Sequence, residues 1–275
     1  PGFRQVWDDE SKAWIEYRFA WLVDQLGATR LLDAELVEPT EQFFPEAYHN
    51  EIADAERIYR RVCGFMDVRS DAMDFQVVPA DDMPQANGLY VRSDENEKPI
   101  LKVADSQLSD PEGLVATLAH EIAHHILLGG NLMSGDEQDH ELVTDLLPCV
   151  LGLGIFAANS TIRYDHSNAG NWQSWQLIRN GYLPSHCIGY ALAMFAWLRK
   201  DNRPSWKHQL RSDAREPMVK GLRYLRRTHD CYLQSEHIGA KRPLTLSSLA
   251  AELDSGTASA RIQAMWNLAQ HDGSA

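Results

Sequence analysis

Apolar residues recur three or four positions apart in two segments near the start of the chain, residues 9–26 and 46–63. That spacing places them on one side of a helix, so each segment is predicted to be an amphipathic helix. From about residue 171 onward the same spacing returns. The pattern therefore predicts two helical regions, residues 1–66 and residues 166–275, on either side of a different middle region.

The middle region, residues 67–165, mixes strand and helix patterns. Residues 74–78 (DFQVV) form a short strand-like run that ends at Pro79. Residues 88–92 (GLYVR) and 99–103 (PILKV) flank the polar segment SDENEK, which is typical of a hairpin. The region is therefore predicted to be α+β, with a small sheet.

Two apolar helices are predicted to follow the strands. Residues 114–130 read LVATLAHEIAHHILLGG, and Asp110 before them is suited to cap a helix that starts at Pro111. The two glycines at the end of the segment are expected to stop this helix. A polar loop leads from there into a second apolar helix, predicted over residues 140–158.

Composition and charge narrow the class of protein. The formal net charge is −13, which argues against a general nucleic-acid-binding role. The four cysteines are scattered with no close pair, as expected in a reducing compartment. Acidic residues interrupt the start of the chain, which is wrong for a signal peptide. The apolar runs at 149–158 and 188–198 are shorter than the roughly 20 residues that span a bilayer. We therefore expect a cytoplasmic protein that is not in a membrane.

Four titratable groups interrupt the apolar pattern of residues 114–130. His120 and His124 are four positions apart, so on a helix they lie on one face and can bind one metal ion together. Glu121 is offset from them by less than a quarter turn, within reach of a water on that ion. The opposite face is apolar and includes Val115, Leu118, Ile122 and Ile126. His-Glu-x-x-His on a helix is the arrangement of zinc-dependent hydrolysis, with the glutamate as general base. His125 points away from the pair and is interpreted as structural.

A catalytic zinc ion usually has a third protein ligand. The metzincin pattern is excluded, because it needs glycine and histidine where this chain has Leu127 and Gly130. The downstream candidates are Asp136, Glu137, Asp139, His140, Glu141 and Asp145. Glu141 and Asp145 are four apart at the start of the second apolar helix, so they share a face. If one of them binds the metal and the other accepts a hydrogen bond from a ligand histidine, both buried carboxylates are stabilised.

The segments HEIAHH and ELVTD together resemble the gluzincin metallopeptidases, the thermolysin-like class with an HExxH helix and a downstream ExxxD helix. The resemblance implies that His120, His124 and Glu141 bind one Zn²⁺ ion per chain. It also implies that Glu121 is the general base and that Asp145 orients His120.

The resemblance covers about residues 74–160. It implies a zincin-like catalytic core, made of a small sheet, an active-site helix and a glutamate helix, within a mostly helical chain. It further implies that the strand at 100–103 is the edge strand along which an extended substrate lies. Sixteen residues separate His124 from Glu141, a short spacing for the class, so Glu137 remains an alternative ligand.

Such enzymes usually add a histidine or tyrosine that stabilises the tetrahedral oxyanion. Candidates are Tyr182, His186 and Tyr190, near the start of an apolar helix, and for each a core or capping role competes with the catalytic one. His166 and His237 are weaker candidates.

The favoured interpretation is a cytoplasmic zinc metallopeptidase, in particular a regulatory protease with a narrow peptide or protein substrate. A second interpretation is a zinc-holding pseudoenzyme or interaction module whose helical regions bind a partner, and a third is a metal-free helical interaction protein. Residues 199–227 carry ten Lys or Arg against three acidic residues, which is either a solvated helix face or a docking surface for an acidic partner. The intact Glu121 favours the enzyme, since a scaffold needs ligands but no base.

Overall fold

The computed structural model describes residues 7–84, 86–92, 97–165, 183–234 and 238. Contacts divide the chain into two compact units. Unit 1 contains Pro1–Asp33 and Pro184–Ala275, and unit 2 contains Ala34–Leu183. Unit 2 thus takes in all of residues 67–165, which the sequence predicts to form the catalytic core.

The described residues form many helices and one small sheet, as predicted. The α-helices are α1 (Asp9–Leu26), α2 (Ala28–Leu32), α3 (Ile52–Phe65), α4 (Pro111–His124), α5 (His140–Val150), α6 (Gly154–Asp165), α7 (Ser185–Leu198) and α8 (Ser212–Thr228). The strands are β1 (Asp74–Val78), β2 (Gly88–Val91) and β3 (Ile100–Ala104). Short 3₁₀-helices are at Ala80–Asp82, Asp105–Ser109 and Ser205–Gln209, and a π-helix is at His125–Gly129. None of these helices combines the length and the apolar character needed to cross a membrane.

β3 is the central strand of the sheet, whose order is β1-β3-β2. β1 runs parallel to β3 and pairs Asp74 with Ile100, whereas β2 runs antiparallel and pairs Gly88 with Val103. The three predicted strands and the predicted antiparallel pair are confirmed. Residues 93–96, between β2 and β3, lie outside the described residues.

The expectation that the strand at 100–103 is an edge strand is wrong. β3 is hydrogen-bonded on both sides, so its backbone has no free edge for a substrate. Leu101 and Val103 on β3 are fully buried, as expected for a central strand. Within the described residues, the edges of the sheet are β1 and β2.

Helix α3 begins later than the apolar pattern predicts, at Ile52 instead of residue 46. Asp54 explains this boundary, because its side chain accepts hydrogen bonds from the backbone N–H groups of His49 (2.7 Å) and Glu51 (3.0 Å). Those bonds hold the residues before Ile52 outside the helix.

The second apolar helix, predicted over residues 140–158, is in fact two helices, α5 and α6. Gly152 lies between them with a φ of +88°, a backbone conformation that favours glycine. A Cβ there would lie 2.1 Å from the carbonyl oxygen of Glu35. Glycine lets the chain come close enough for the N–H of Val37 to donate to the Gly152 carbonyl (2.9 Å). A contact distant in sequence therefore separates the two helices.

In unit 1, α1 covers the predicted residues 9–26, and its buried face carries an ion pair. Lys12 Nζ is 2.7 Å from Glu16 Oε1, and both side chains are almost fully buried. Tyr190 on α7 donates its hydroxyl to Glu16, and the backbone N–H of Tyr232 donates to the other carboxylate oxygen (2.8 Å). The buried carboxylate is thus bonded at both oxygens, as a buried charge requires.

Candidate metal centre

Helix α4 carries the His-Glu-x-x-His segment. Asp110 caps it as predicted, since its side chain accepts a hydrogen bond from the backbone N–H of Gly113 (3.2 Å), and Pro111 is the first helical residue. Leu118 and Ile122 are fully buried on the opposite face from His120 and His124. Packing of these two residues in the core fixes the rotation of α4 about its axis, so that the face with His120 and His124 points away from them.

The α-helix ends at His124, and His125–Gly129 form a π-helix. A prediction based on 100° per residue fails from there, because a π-turn holds more residues than an α-turn. Ile126 is only half-buried and so leaves the predicted apolar stripe. The Nδ1 atom of His125 lies 3.4 Å from the hydroxyl oxygen of Tyr90. His125 therefore faces β2.

Helix α5 brings Glu141 to the two histidines of α4. Glu141 Oε2 is 3.4 Å from the Nε2 atom of His120 and 3.4 Å from the Nε2 atom of His124. One ligand atom from each of these three residues lies within 4.8 Å of the other two. The side chain of Glu137 instead accepts from the backbone N–H of Ser134 (3.1 Å). The structure therefore places Glu141, and not the alternative Glu137, in the cluster with the two histidines.

Two of the three spacings between donor atoms match those of a tetrahedral zinc site, and all three atoms lie within 4.8 Å of one another. Zn²⁺ binds nitrogen and oxygen at about 2.0–2.2 Å in a tetrahedral arrangement, which sets neighbouring ligand atoms about 3.4 Å apart. Both carboxylate-to-imidazole distances are 3.4 Å, which is longer than a good hydrogen bond. Two imidazoles and one carboxylate are also a known ligand combination of catalytic zinc. The ligands present therefore fit the metal that the sequence predicts, and His120, His124 and Glu141 would hold it.

Residues of α5 contact the other ring nitrogen of each histidine, closely at His120 and more loosely at His124. His120 Nδ1 is 2.8 Å from Asp145 Oδ1, and because a carboxylate only accepts, the ring nitrogen is the donor. Asp145 Oδ2 accepts from the backbone N–H of Leu183 (2.7 Å), which fixes the carboxylate. His124 Nδ1 is 3.4 Å from the hydroxyl oxygen of Thr144. Both Nε2 atoms are therefore left for a metal ion.

Thr144 and His140 complete the α5 side of the site; His140 was predicted only as a candidate third ligand, and Thr144 was not predicted to belong to the site. The Thr144 hydroxyl donates to the backbone carbonyl of His140 (2.8 Å), which leaves its lone pairs free to accept from His124. His140 Nδ1 donates to the carbonyl of Glu137 (2.9 Å), and its Nε2 lies 3.1 Å from Glu141 Oε1. Positions 140, 141, 144 and 145 share one side of a helix, and this spacing is the signal that could have placed His140 and Thr144 beside Glu141 and Asp145.

Burial and charge oppose each other at these groups. Burial disfavours protonated His120, but Asp145 and Glu141 outweigh this effect and raise the pKa of His120 well above its usual value. Burial also opposes ionisation of Glu141, but the two histidines outweigh it and lower the pKa of Glu141. At Glu121 burial dominates and raises the pKa, although both histidines act to lower it. The site thus stabilises a positive charge near His120 and Glu141, and burial makes the Glu121 carboxylate easier to protonate.

Strand β2 lies directly against Glu121. A Cβ at Gly88 would be 2.7 Å from Glu121 Oε1 and 2.6 Å from Thr117 Cγ2, so only glycine allows this close approach. The backbone N–H of Tyr90 donates a hydrogen bond to the Glu121 carboxylate. The buried carboxylate is therefore held between α4 and β2.

The residues proposed to stabilise an oxyanion are in unit 1 or outside the described residues. Outside the described residues lie Tyr182, His166 and His237. His186 and Tyr190 belong to unit 1, where Tyr190 is fully buried and bonded to Glu16. His186 and Tyr190 thus belong to a different unit from His120, His124 and Glu141, which are in unit 2.

Asp145→Asn is expected to weaken zinc binding by about 10–100-fold, because an amide accepts from His120 Nδ1 without the charge that fixes the ring. Thr144→Val is expected to have a smaller effect, since its contact with His124 is longer. Competition with a chromophoric chelator measures both affinities. Asp136→Asn is the matched control, because this residue lies in the preceding loop, away from the cluster, and its zinc affinity should stay within about twofold. An Asp145→Asn protein with unchanged affinity would show that this hydrogen bond does not support the site.

Comparisons with models of protein families, with curated proteins and with solved structures gave no match to this chain.

Proposed function

We propose that this protein is a zinc-dependent metallopeptidase with a zincin-like core in unit 2. The proposal is carried by one observation, the convergence of His120, His124 and Glu141 with the buried carboxylate of Glu121 beside them. α4 would be the active-site helix, α5 the glutamate helix and β2 the substrate-binding strand of such a core.

The bound zinc ion and Glu121 would have distinct roles in peptide hydrolysis. When bound, zinc would lower the pKa of a coordinated water towards about 7 and polarise the scissile carbonyl. Glu121 accepts a proton from the attacking water and passes it to the leaving amine. Burial raises the pKa of Glu121, which suits a group that must hold a proton and then release it. A protein that only stored zinc would not need a buried carboxylate at this position.

β2 is the proposed binding edge for the substrate backbone, in place of the strand at 100–103. The backbone N–H of Ala104 donates to the carbonyl of Asn87 (3.0 Å), and in an antiparallel pair every second residue bonds to the partner strand. The backbone groups of Gly88 and Tyr90 therefore point away from β3, and the N–H of Tyr90 is bonded on that side to Glu121. An extended peptide added at that edge would lie alongside the general base.

The proposal is tested by incubating the zinc-loaded protein with a broad proteome-derived peptide library and identifying new termini by mass spectrometry. We expect cleavage that stops when a chelator removes zinc and returns when zinc is restored, because the hydrolytic water requires the ion. Cleavage that persists after complete zinc removal, or a fully zinc-loaded protein that cleaves no peptide, would contradict the proposal.

Gly88→Ala is expected to lower peptide hydrolysis by about 10–100-fold while zinc affinity changes little. The added methyl group would meet both Glu121 and Thr117, and a shift of about 1 Å in a reacting group can cost about 10²-fold in rate. The zinc ligands lie on other elements, so their geometry is retained. Gly64→Ala on α3 is the matched control, because a Cβ there meets nothing within 4 Å. A Gly88→Ala protein with wild-type activity would show that β2 does not position Glu121.

A further inference from the structure

A cavity of about 290 Å³ lies on the side of α4 opposite the proposed metal centre. It is lined by α3, the first turns of α4, α6 and the segment between α2 and α3. Its apolar floor consists of Phe44, Ile58, Val115 and Phe156. Val115 belongs to the face of α4 that turns away from the zinc ligands, so the cavity is separate from the catalytic cluster.

Two arginines line the cavity, and both are already paired. Arg57 forms an ion pair with Asp54, and Arg61 forms one with Glu46. The Arg57 guanidinium also donates to the backbone carbonyl of Ala47 (3.1 Å). The charge of each guanidinium is therefore already balanced by a carboxylate of the same lining.

Two further carboxylates of the lining, Glu41 and Glu112, are exposed, and within the described part of the chain neither is in an ion pair. With them, the lining holds four carboxylates and two guanidinium groups, a net charge of −2. The positive end of the α4 dipole at this point is covered by Asp110, whose side chain accepts from Gly113. The cavity thus combines an apolar floor with excess negative charge.

We propose that this cavity binds a small hydrophobic amine, with its apolar part on the floor and its ammonium group beside Glu41 and Glu112. The excess negative charge selects a cation over an anion. The volume lies at the lower end of the range for small-molecule pockets, which fits one compact group. This site goes beyond the proposed peptidase activity and does not depend on it. Since Glu112 and Val115 belong to α4, the occupant contacts the helix that carries the histidines.

The experiment compares two probes of similar size and opposite charge, 4-phenylbutylamine and 4-phenylbutyrate, by calorimetric titration of the full chain at pH 7. We expect the amine to bind at one site per chain, at least about tenfold tighter than the carboxylate. Equal binding of the two probes would overturn the proposed ligand class. Absence of saturable binding by the amine would overturn the site.

A pair of double variants locates the binding. Glu41→Gln with Glu112→Gln should reduce the preference for the amine to about twofold or less, because the two unpaired carboxylates are gone. Asp81→Asn with Asp82→Asn removes the same charge from exposed positions outside the cavity and should keep the preference at its wild-type value. All four positions are exposed, so the fold should be retained in both variants. Equal losses in the two double variants would show that the overall charge of the protein, and not this cavity, selects the amine.

Discussion

Zinc affinity is expected to fall by about 10²–10³-fold in Glu141→Ala and to stay near the wild-type value in Glu137→Ala. Structural zinc sites contribute about 10–16 kcal/mol over four ligands, which is about 2.5–4 kcal/mol for each ligand removed. Glu141 Oε2 lies 3.4 Å from both ligand nitrogens, whereas the Glu137 carboxylate bonds to the backbone of Ser134. His120→Ala and His124→Ala should lose zinc to a similar extent, because each removes one of the three donors.

The measurement is the zinc content of each purified variant after dialysis, together with its affinity from chelator competition. Wild-type protein should carry about one zinc ion per chain. Circular dichroism and thermal melting of the zinc-free proteins show whether each variant retains its fold. If Glu137→Ala lost its zinc and Glu141→Ala kept it, the third ligand would be misassigned. If both histidine variants retained zinc fully, the site itself would be refuted.

Glu121→Gln is expected to lower peptide hydrolysis by at least about 10²-fold while leaving zinc content and melting temperature nearly unchanged. Glutamine keeps the size of the side chain and an acceptor for the Tyr90 N–H, but it removes the basic carboxylate, and loss of a general base costs about 10²–10⁴-fold. Glu121 is not part of the three-residue cluster, so the metal should stay bound. The same variant should still bind substrate at the edge of β2, which makes it suitable for trapping an unknown substrate.

Hydrolysis of a substrate found in the peptide library measures this effect, with zinc quantified on the same preparation. Glu56→Gln is the matched control, because this glutamate is exposed on α3 and pairs with Arg60 at the surface. Its activity should be that of the wild type. Wild-type cleavage by zinc-loaded Glu121→Gln protein would rule out Glu121 as the general base.

The parts of the site that could be predicted from the sequence are those set by local periodicity. The positions of His120 and His124 on one helix face follow from their spacing, and the apolar residues opposite them fix which face is buried. The spacing of Glu141 and Asp145 likewise predicted a shared face, and the structure places both beside His120. The strands β1, β2 and β3 were predicted because their composition and boundaries are also local signals.

The features that could not be predicted depend on contacts distant in sequence. The order β1-β3-β2 puts the strand at 100–103 in the centre, and no local pattern records which strand pairs on both sides. The break between α5 and α6 depends on the approach of Glu35 to Gly152, more than a hundred residues away. The π-turn after His124 changes the helical period, and a search at constant period does not detect it. The role of Gly88 is visible only once β2 lies against Glu121.

X-ray absorption at the zinc edge of the zinc-loaded wild-type protein tests the central claim most directly, because it reports the ligand atoms themselves. We predict only nitrogen and oxygen neighbours at about 2.0–2.2 Å, with the outer-scattering pattern of two imidazole rings, matching His120 and His124, and an additional oxygen beyond that of Glu141. The four cysteines are buried, and none belongs to the cluster. A sulfur neighbour at about 2.3 Å, or a spectrum without imidazole scattering, would contradict the site proposed here.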